Sequence, residues 1–120
     1  MADAIRAVSR DDIRSILPAC LFTWTGLDLD DSGIPIECVG YADRTVQVTG
    51  TFGTGGSVTI QGSNDKTNWF ALTDPQGNAI TKTAAGLELI MEAPLYLRPI
   101  VTAGDGTTSL TVSILCRRTS

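Results

Sequence analysis

The stretch GSVTIQGSNDKTNWFAL, Gly56–Leu72, constrains the fold more than any other part of the chain. Val58 and Ile60 alternate with Thr59 and Gln61, the period of two of a strand with one dry face. Gly62, Ser63, Asn64, Asp65, Lys66 and Thr67 then supply turn chemistry. Glycine accepts positive φ, and Asn and Asp side chains bond their own backbone. Trp69, Phe70 and Leu72 start a second apolar strand. The unit reads as strand, polar loop, strand, with an aromatic anchor just after the loop.

The same pattern recurs along the chain. Over Thr45–Phe52, Val46, Val48 and Phe52 face one way and Thr45, Gln47, Thr49 and Thr51 the other. Gly50 falls on the inward series and marks a bulge or a close approach. Gly53-Thr54-Gly55-Gly56 reads as a hairpin loop into the Val58/Ile60 strand. Asp74-Pro75-Gln76-Gly77-Asn78 is a turn, with proline at its second position. Leu87, Leu89 and Met91 alternate with Glu88, Ile90 and Glu92, the glutamates reading as outward-facing charges. Leu95, Leu97 and Val101 alternate with Tyr96, Arg98 and Ile100, and Pro99 suits an edge strand or bulge. Leu110, Val112, Ile114 and Cys116 alternate with Thr111, Ser113 and Leu115. Turn signals at this spacing, in a chain of 120 residues, predict one all-β domain. The expected fold is a single antiparallel β-sandwich, jelly-roll or immunoglobulin-like, over residues 19–120. Val46, Val48, Val58, Ile60, Leu89, Leu110, Val112 and Ile114 are its expected core.

Residues 1–18 are read as an N-terminal arm or short helix. Ile5, Val8, Ile13, Ile16 and Leu17 fall at roughly helical spacing, and Ser9 before Asp11 and Asp12 resembles an N-cap. One or two turns are expected over Asp11–Leu17, ended by Pro18. The segment carries charges of both signs and lacks the apolar centre of a secretory signal. Cys20, Cys38 and Cys116 lack CxxC spacing, and the chain has no histidine to complete a zinc site. They read as buried reduced thiols acting as small hydrophobes, with a Cys20–Cys38 bridge as the alternative.

Net charge is −4, all of it within residues 1–44, where eight acids face four bases. An acidic chain without a basic stripe is a poor ligand for a phosphate backbone, so no nucleic-acid partner is expected. No apolar run reaches the length of a membrane span. Without histidine there is no Ser-His-Asp triad and no Cys-His pair. Gly53, Gly55 and Gly56 precede a strand, whereas a phosphate loop needs a helix after it. Asp28, Asp30 and Asp31 form an acidic loop. Its alternative is an irregular calcium site, but the EF-hand's twelfth position would fall on Val39. No enzyme activity, cofactor or metal is expected.

Several of these turns carry a family likeness. GSNDKTNW at Gly62–Trp69, DPQGN at Asp74–Asn78, PLYLRP at Pro94–Pro99 and GDGTT at Gly104–Thr108 together resemble the small capsid decoration, or cement, proteins of tailed bacteriophages. The likeness spans about Thr45–Arg118. It implies a structural protein on the outer capsid surface, made in the host cytoplasm, with the major capsid protein as partner. Self-association is expected as a homotrimer, with a dimer second. Lys66 departs from the pattern, standing where glycine is usual, so either the left-handed position moves to Asn64 or Asp65 or Lys66 is strained. Similar wording in discoidin-like sandwiches makes a carbohydrate-binding module the alternative. Such a module needs an exposed ring, whereas Trp69 is expected to be mostly buried beside its loop. The residues expected to meet a partner are Ile5, Val8, Ile13 and Ile16 on the arm, and Leu21, Ile90, Ile100 and Leu115 on outward strand positions.

Overall fold

A computed structural model describes residues 5–13 and 19–118, with only the backbone of Ile13. Its strands are β1 (Ile5–Arg6), β2 (Val8–Ile13), β3 (Ala19–Leu27), β4 (Ser32–Gly33), β5 (Ile36–Glu37), β6 (Asp43–Thr51), β7 (Ser57–Ser63), β8 (Phe70–Ala71), β9 (Thr81–Lys82), β10 (Gly86–Leu89), β11 (Tyr96–Ala103) and β12 (Ser109–Arg117). They form two sheets, as an all-β sandwich requires. One runs β10-β6-β12-β3-β2 and is antiparallel throughout. The other runs β1-β4-β11-β7-β8, with β5 beside β11 and β9 beside β7. Its β1–β4 pair is parallel.

The core lies between the sheets. Val46, Val48, Val58, Ile60, Leu110, Val112 and Ile114 are buried there as their alternation predicts, with Trp24, Leu27, Leu97 and Val101. Trp24 is fully buried, and its Nε1 donates to the Ile34 carbonyl at 3.0 Å. A side chain at Gly33 would put Cβ 2.5 Å from that indole nitrogen, so the ring fixes glycine there. Gly53–Gly56 is not a hairpin loop, because β6 and β7 belong to different sheets. It is a corner between layers. A Cβ on Gly56 would sit 1.8 Å from the Phe52 carbonyl oxygen, and only glycine allows so close a return.

Four further expectations need correction. Asp11–Ile13 is strand, not helix, because β2 pairs with β3 from Val8↔Trp24 to Ile13↔Ala19. The gain of a full ladder overrides weak helical spacing. The remainder of the proposed helix, with Ile16, lies outside the described residues. Leu89 is not core: Leu87, Leu89 and Met91 are exposed and Ile90 is buried. Glu88 takes the inward position opposite Val46 and accepts from Lys82 Nζ at 2.9 Å across the open edge of the sandwich. That ion pair makes the inward series tolerable at a shallow edge, where counting apolar residues points the other way. Pro99 is in the interior of its sheet. On the side of β11 away from β7, β5 pairs with Tyr96 and Leu97 and β4 with Ile100, so the residue without an N–H falls in the gap. Finally, Cys38 and Cys116 form a disulfide and Cys20 alone is free and buried. Cys20 stands opposite Cys116 on the ladder, and its thiol donates to Asp12 Oδ1 at 3.3 Å.

Candidate functional site

The acidic loop is closed from within. Arg6 on β1 donates from Nε to Asp31 Oδ2 at 2.6 Å and from Nη2 to Asp28 Oδ2 at 3.1 Å. Asp31 is buried and also accepts from the Asp28 amide at 2.9 Å. The guanidinium thus pairs with two of the loop's three aspartates, and these bonds tie β1 to the loop. Among the described residues no group of three His, Cys, Asp or Glu side chains is placed to hold a metal ion.

The outward positions of the five-stranded sheet make a continuous neutral surface. Register places Leu89, Thr45, Leu115 and Leu21 side by side across β10, β6, β12 and β3. The adjacent row is Leu87, Gln47, Ser113 and Thr23. A shallow depression of about 260 Å³ runs between the rows, with Leu21, Leu87 and Leu115 as its apolar lining. Leu87 is 62% exposed and Leu89 42%. Among the described residues charge appears only at the margins, as Asp11 at the β2 edge and the Arg117–Asp43 pair (3.3 Å) at one end.

Of the residues expected to meet a partner, Leu21 and Leu115 are thus direct neighbours on this face. Ile100 lies on the opposite outer face, half-buried between Ser32 and Thr59. Ile90 is 4% exposed and presents nothing to a partner. Ile5 is exposed at 72%, and Val8 packs against the core. Ile16 and the Ile13 side chain lie outside the described residues. The sequence reading missed Leu87 and Leu89 because it placed their series inside.

The outer face of the seven-stranded sheet is built differently. Arg98 lies over the Trp69 ring, 4.1 Å from its centroid, and donates to Gln61 Oε1 at 3.0 Å. Burial lowers the pKa of this guanidinium. Lys66 Nζ lies 4.8 Å from the Tyr96 centroid, and Trp69 Nε1 donates to the Lys66 carbonyl at 3.2 Å. Trp69 is therefore a half-buried anchor, as its loop predicted, with one face covered by a cation. Lys66 carries the left-handed backbone itself, at φ 64°.

Beside this face a groove of about 580 Å³ lies between the Asn64–Asn68 loop, Phe70 and Pro94. Asp65 holds the loop: Oδ1 accepts from the amides of Thr67 and Asn68 at 2.8 Å each, and Oδ2 accepts from Asn68 Nδ2 at 2.8 Å. These bonds, those from Asn68 first, keep its carboxyl well below the usual range. Phe70 is 70% exposed, a ring the sequence assigned to a strand face.

No protein-family model matches the chain, and no curated protein sequence matches it. Among solved structures it is similar to the crystal structure of the SPBc2 prophage-derived protein YomS. The two align with a TM-score of 0.61 at 12% sequence identity, over 89% of this chain and 99% of that one. The likeness is one of fold.

Proposed function

We propose that the chain is a structural protein of a phage particle, a cement protein that binds the outer capsid surface and stabilises the shell. The observation that carries this reading is the neutral leucine face of the five-stranded sheet. A neutral surface on which leucines are interspersed with Thr, Gln and Ser suits binding by surface. The fold shared with a prophage-derived protein and the decoration-protein turns add support. The partner is the major capsid protein, and the protein acts without catalysis. It works at the virion exterior after synthesis in the host cytoplasm. Self-association as a homotrimer would multiply a modest interface by avidity.

The face also changes where contact is sought. Arg6 and Val8 of the arm serve the chain's own sheets, so the leucine rows replace the arm as the main contact.

The test adds the full chain to undecorated heads and measures binding by sedimentation and head survival on heating. The wild type binds saturably and raises heat resistance. A Leu87→Lys, Leu115→Lys variant binds at least about tenfold more weakly, a loss of about 1.4 kcal/mol or more. Its unfolding midpoint stays near the wild type, since outward substitutions generally shift stability by only about 0.5 kcal/mol. Absence of head binding by the wild type overturns the reading.

A further inference from the structure

We propose that the groove beside Phe70 is a binding site for a neutral saccharide. This inference stands apart from shell binding and rests on three features of the groove.

The first is an open aromatic wall. Phe70 is paired through β8 to Gly62 and leaves 70% of its surface exposed, whereas Trp69 beside it is capped by Arg98. An exposed ring whose π face is slightly negative accepts the C–H face of a pyranose.

The second is a clamped donor and acceptor. Asn64 Oδ1 accepts from the Leu95 amide at 2.8 Å, which fixes the amide orientation and leaves its Nδ2 without a partner among the described residues. Asn68 Nδ2 donates to Asp65 Oδ2 at 2.8 Å, which likewise fixes its amide and leaves Oδ1 without a partner. Each amide is held at one end and open at the other. Both residues line the groove, and a fixed donor and a fixed acceptor there suit sugar hydroxyls, each of which gives and takes a hydrogen bond. Because the loop is already ordered by Asp65, little side-chain freedom is lost on binding.

The third is charge. Asp65 lines the groove as a carboxylate, and so does Glu92, whose oxygens accept from the amide and hydroxyl of Thr73. Two carboxylates disfavour an anionic sugar and leave neutral hexoses and N-acetylhexosamines as the class. The groove volume falls within the range of about 300–1,000 Å³ usual for small-ligand sites.

The experiment titrates the isotopically labelled full chain with methyl glucoside, methyl galactoside, N-acetylglucosamine and, separately, N-acetylneuraminic acid. Side-chain amide signals of Asn64 and Asn68 are followed to about 50 mM, because one sugar ring supports only millimolar affinity. At least one neutral sugar shifts both signals saturably, and the acidic sugar does so at least tenfold more weakly, by about the tenfold scale of a single lost polar contact. Phe70→Ala weakens the neutral sugar about tenfold and Phe70→Trp preserves it. No saturable shift with any neutral sugar, an unchanged affinity in Phe70→Ala, or equal binding of the acidic sugar overturns the proposal. Head binding by the Phe70→Ala variant, measured in parallel, separates failure here from failure of the shell reading.

Discussion

The two outer faces of this sandwich obey the same alternation yet offer different chemistry. On the five-stranded sheet the outward residues are Leu, Thr, Gln and Ser in register, with charge confined to the margins. On the seven-stranded sheet the outward residues include Tyr96, Arg98 and Gln61, over which a loop folds back to place Lys66 and Trp69. The first face is flat because its three central strands, β6, β12 and β3, are nine residues long and lie side by side. The second is sculpted because its partner strands are two-residue pieces separated by turns. A flat neutral sheet suits a large complementary surface, and a sculpted rim suits a small ligand. The difference originates in strand length and turn chemistry, not in the core the two faces share.

The covalent tie between the faces gives the largest expected effect. Cys116 lies on β12 in one sheet, and Cys38 directly follows β5 in the other, at a sequence separation of 78. Closing a loop of that size restricts the unfolded chain, by about 4 kcal/mol on the chain-entropy account. Cys38→Ser is expected to lower unfolding free energy by about 2–4 kcal/mol in urea without reductant. Wild type with reductant should fall by a similar amount. If both losses stay below about 1 kcal/mol, the core alone fixes the faces relative to one another.

A smaller effect separates the sculpted face from the flat one. Lys66 combines a left-handed backbone with a cation–π contact. Lys66→Ala loses the contact, worth about 0.5–1 kcal/mol at an exposed site, and keeps the strain. Lys66→Gly loses the contact but relieves a backbone penalty of about 1 kcal/mol. The glycine variant is therefore expected to be the more stable of the two by about 1 kcal/mol, read from paired urea midpoints. Equal midpoints would mean that the loop holds Lys66 without strain. No comparable position exists among the rows of Leu21, Thr45 and Leu115, where every residue is extended in a ladder.

These contrasts also show what a single sequence discloses. Alternation located β6, β7, β11 and β12 and the inward side of each, because in a long strand one face must be dry. The turns at Asp74 and Asp105 were legible because a carboxylate bonding its own backbone is a local event. Sheet membership was not: Gly53–Gly56 has the same composition whether it joins two neighbours or turns a corner. The side of β10 was hidden because the deciding contact, Lys82 with Glu88, joins strands of different sheets. The Cys38–Cys116 pairing and the adjacency of Leu21 and Leu115 likewise depend on register between distant strands. Phe70 was read only as part of an apolar strand, whose exposed side the sequence does not mark, whereas β8 is a two-residue piece that leaves that ring 70% exposed. The candidate faces were thus legible as residue types, and only the pairing showed which of them share a surface.

The smallest expected effect is one of pH, and it too distinguishes regions. Asp65 organises the loop above the sculpted face. Asp105 organises the opposite turn, where Thr107 donates from its hydroxyl to Oδ1 at 2.6 Å and the Thr54 amide donates to Oδ2 at 2.8 Å. Both carboxyls are held below the usual carboxylate range, Asp65 chiefly by Asn68 and Asp105 chiefly by Thr107. A depressed pKa means the folded state binds the proton less readily than the unfolded chain. The stabilisation is then fully present above the unfolded value of about pH 4 and is lost as pH falls below it towards the folded value. Between about pH 7 and pH 5 these two groups therefore contribute no change, and stability declines only below about pH 4. Asp65→Asn should flatten that decline and loosen the Asn64–Asn68 loop, seen as faster amide exchange at Thr67 and Asn68. Exchange across β12 should be unchanged in the variant, because the flat face has no carboxylate in its centre. If acid instead speeds exchange on β12 as early as at Asn68, the two faces melt together and the contrast between them does not extend to their dynamics.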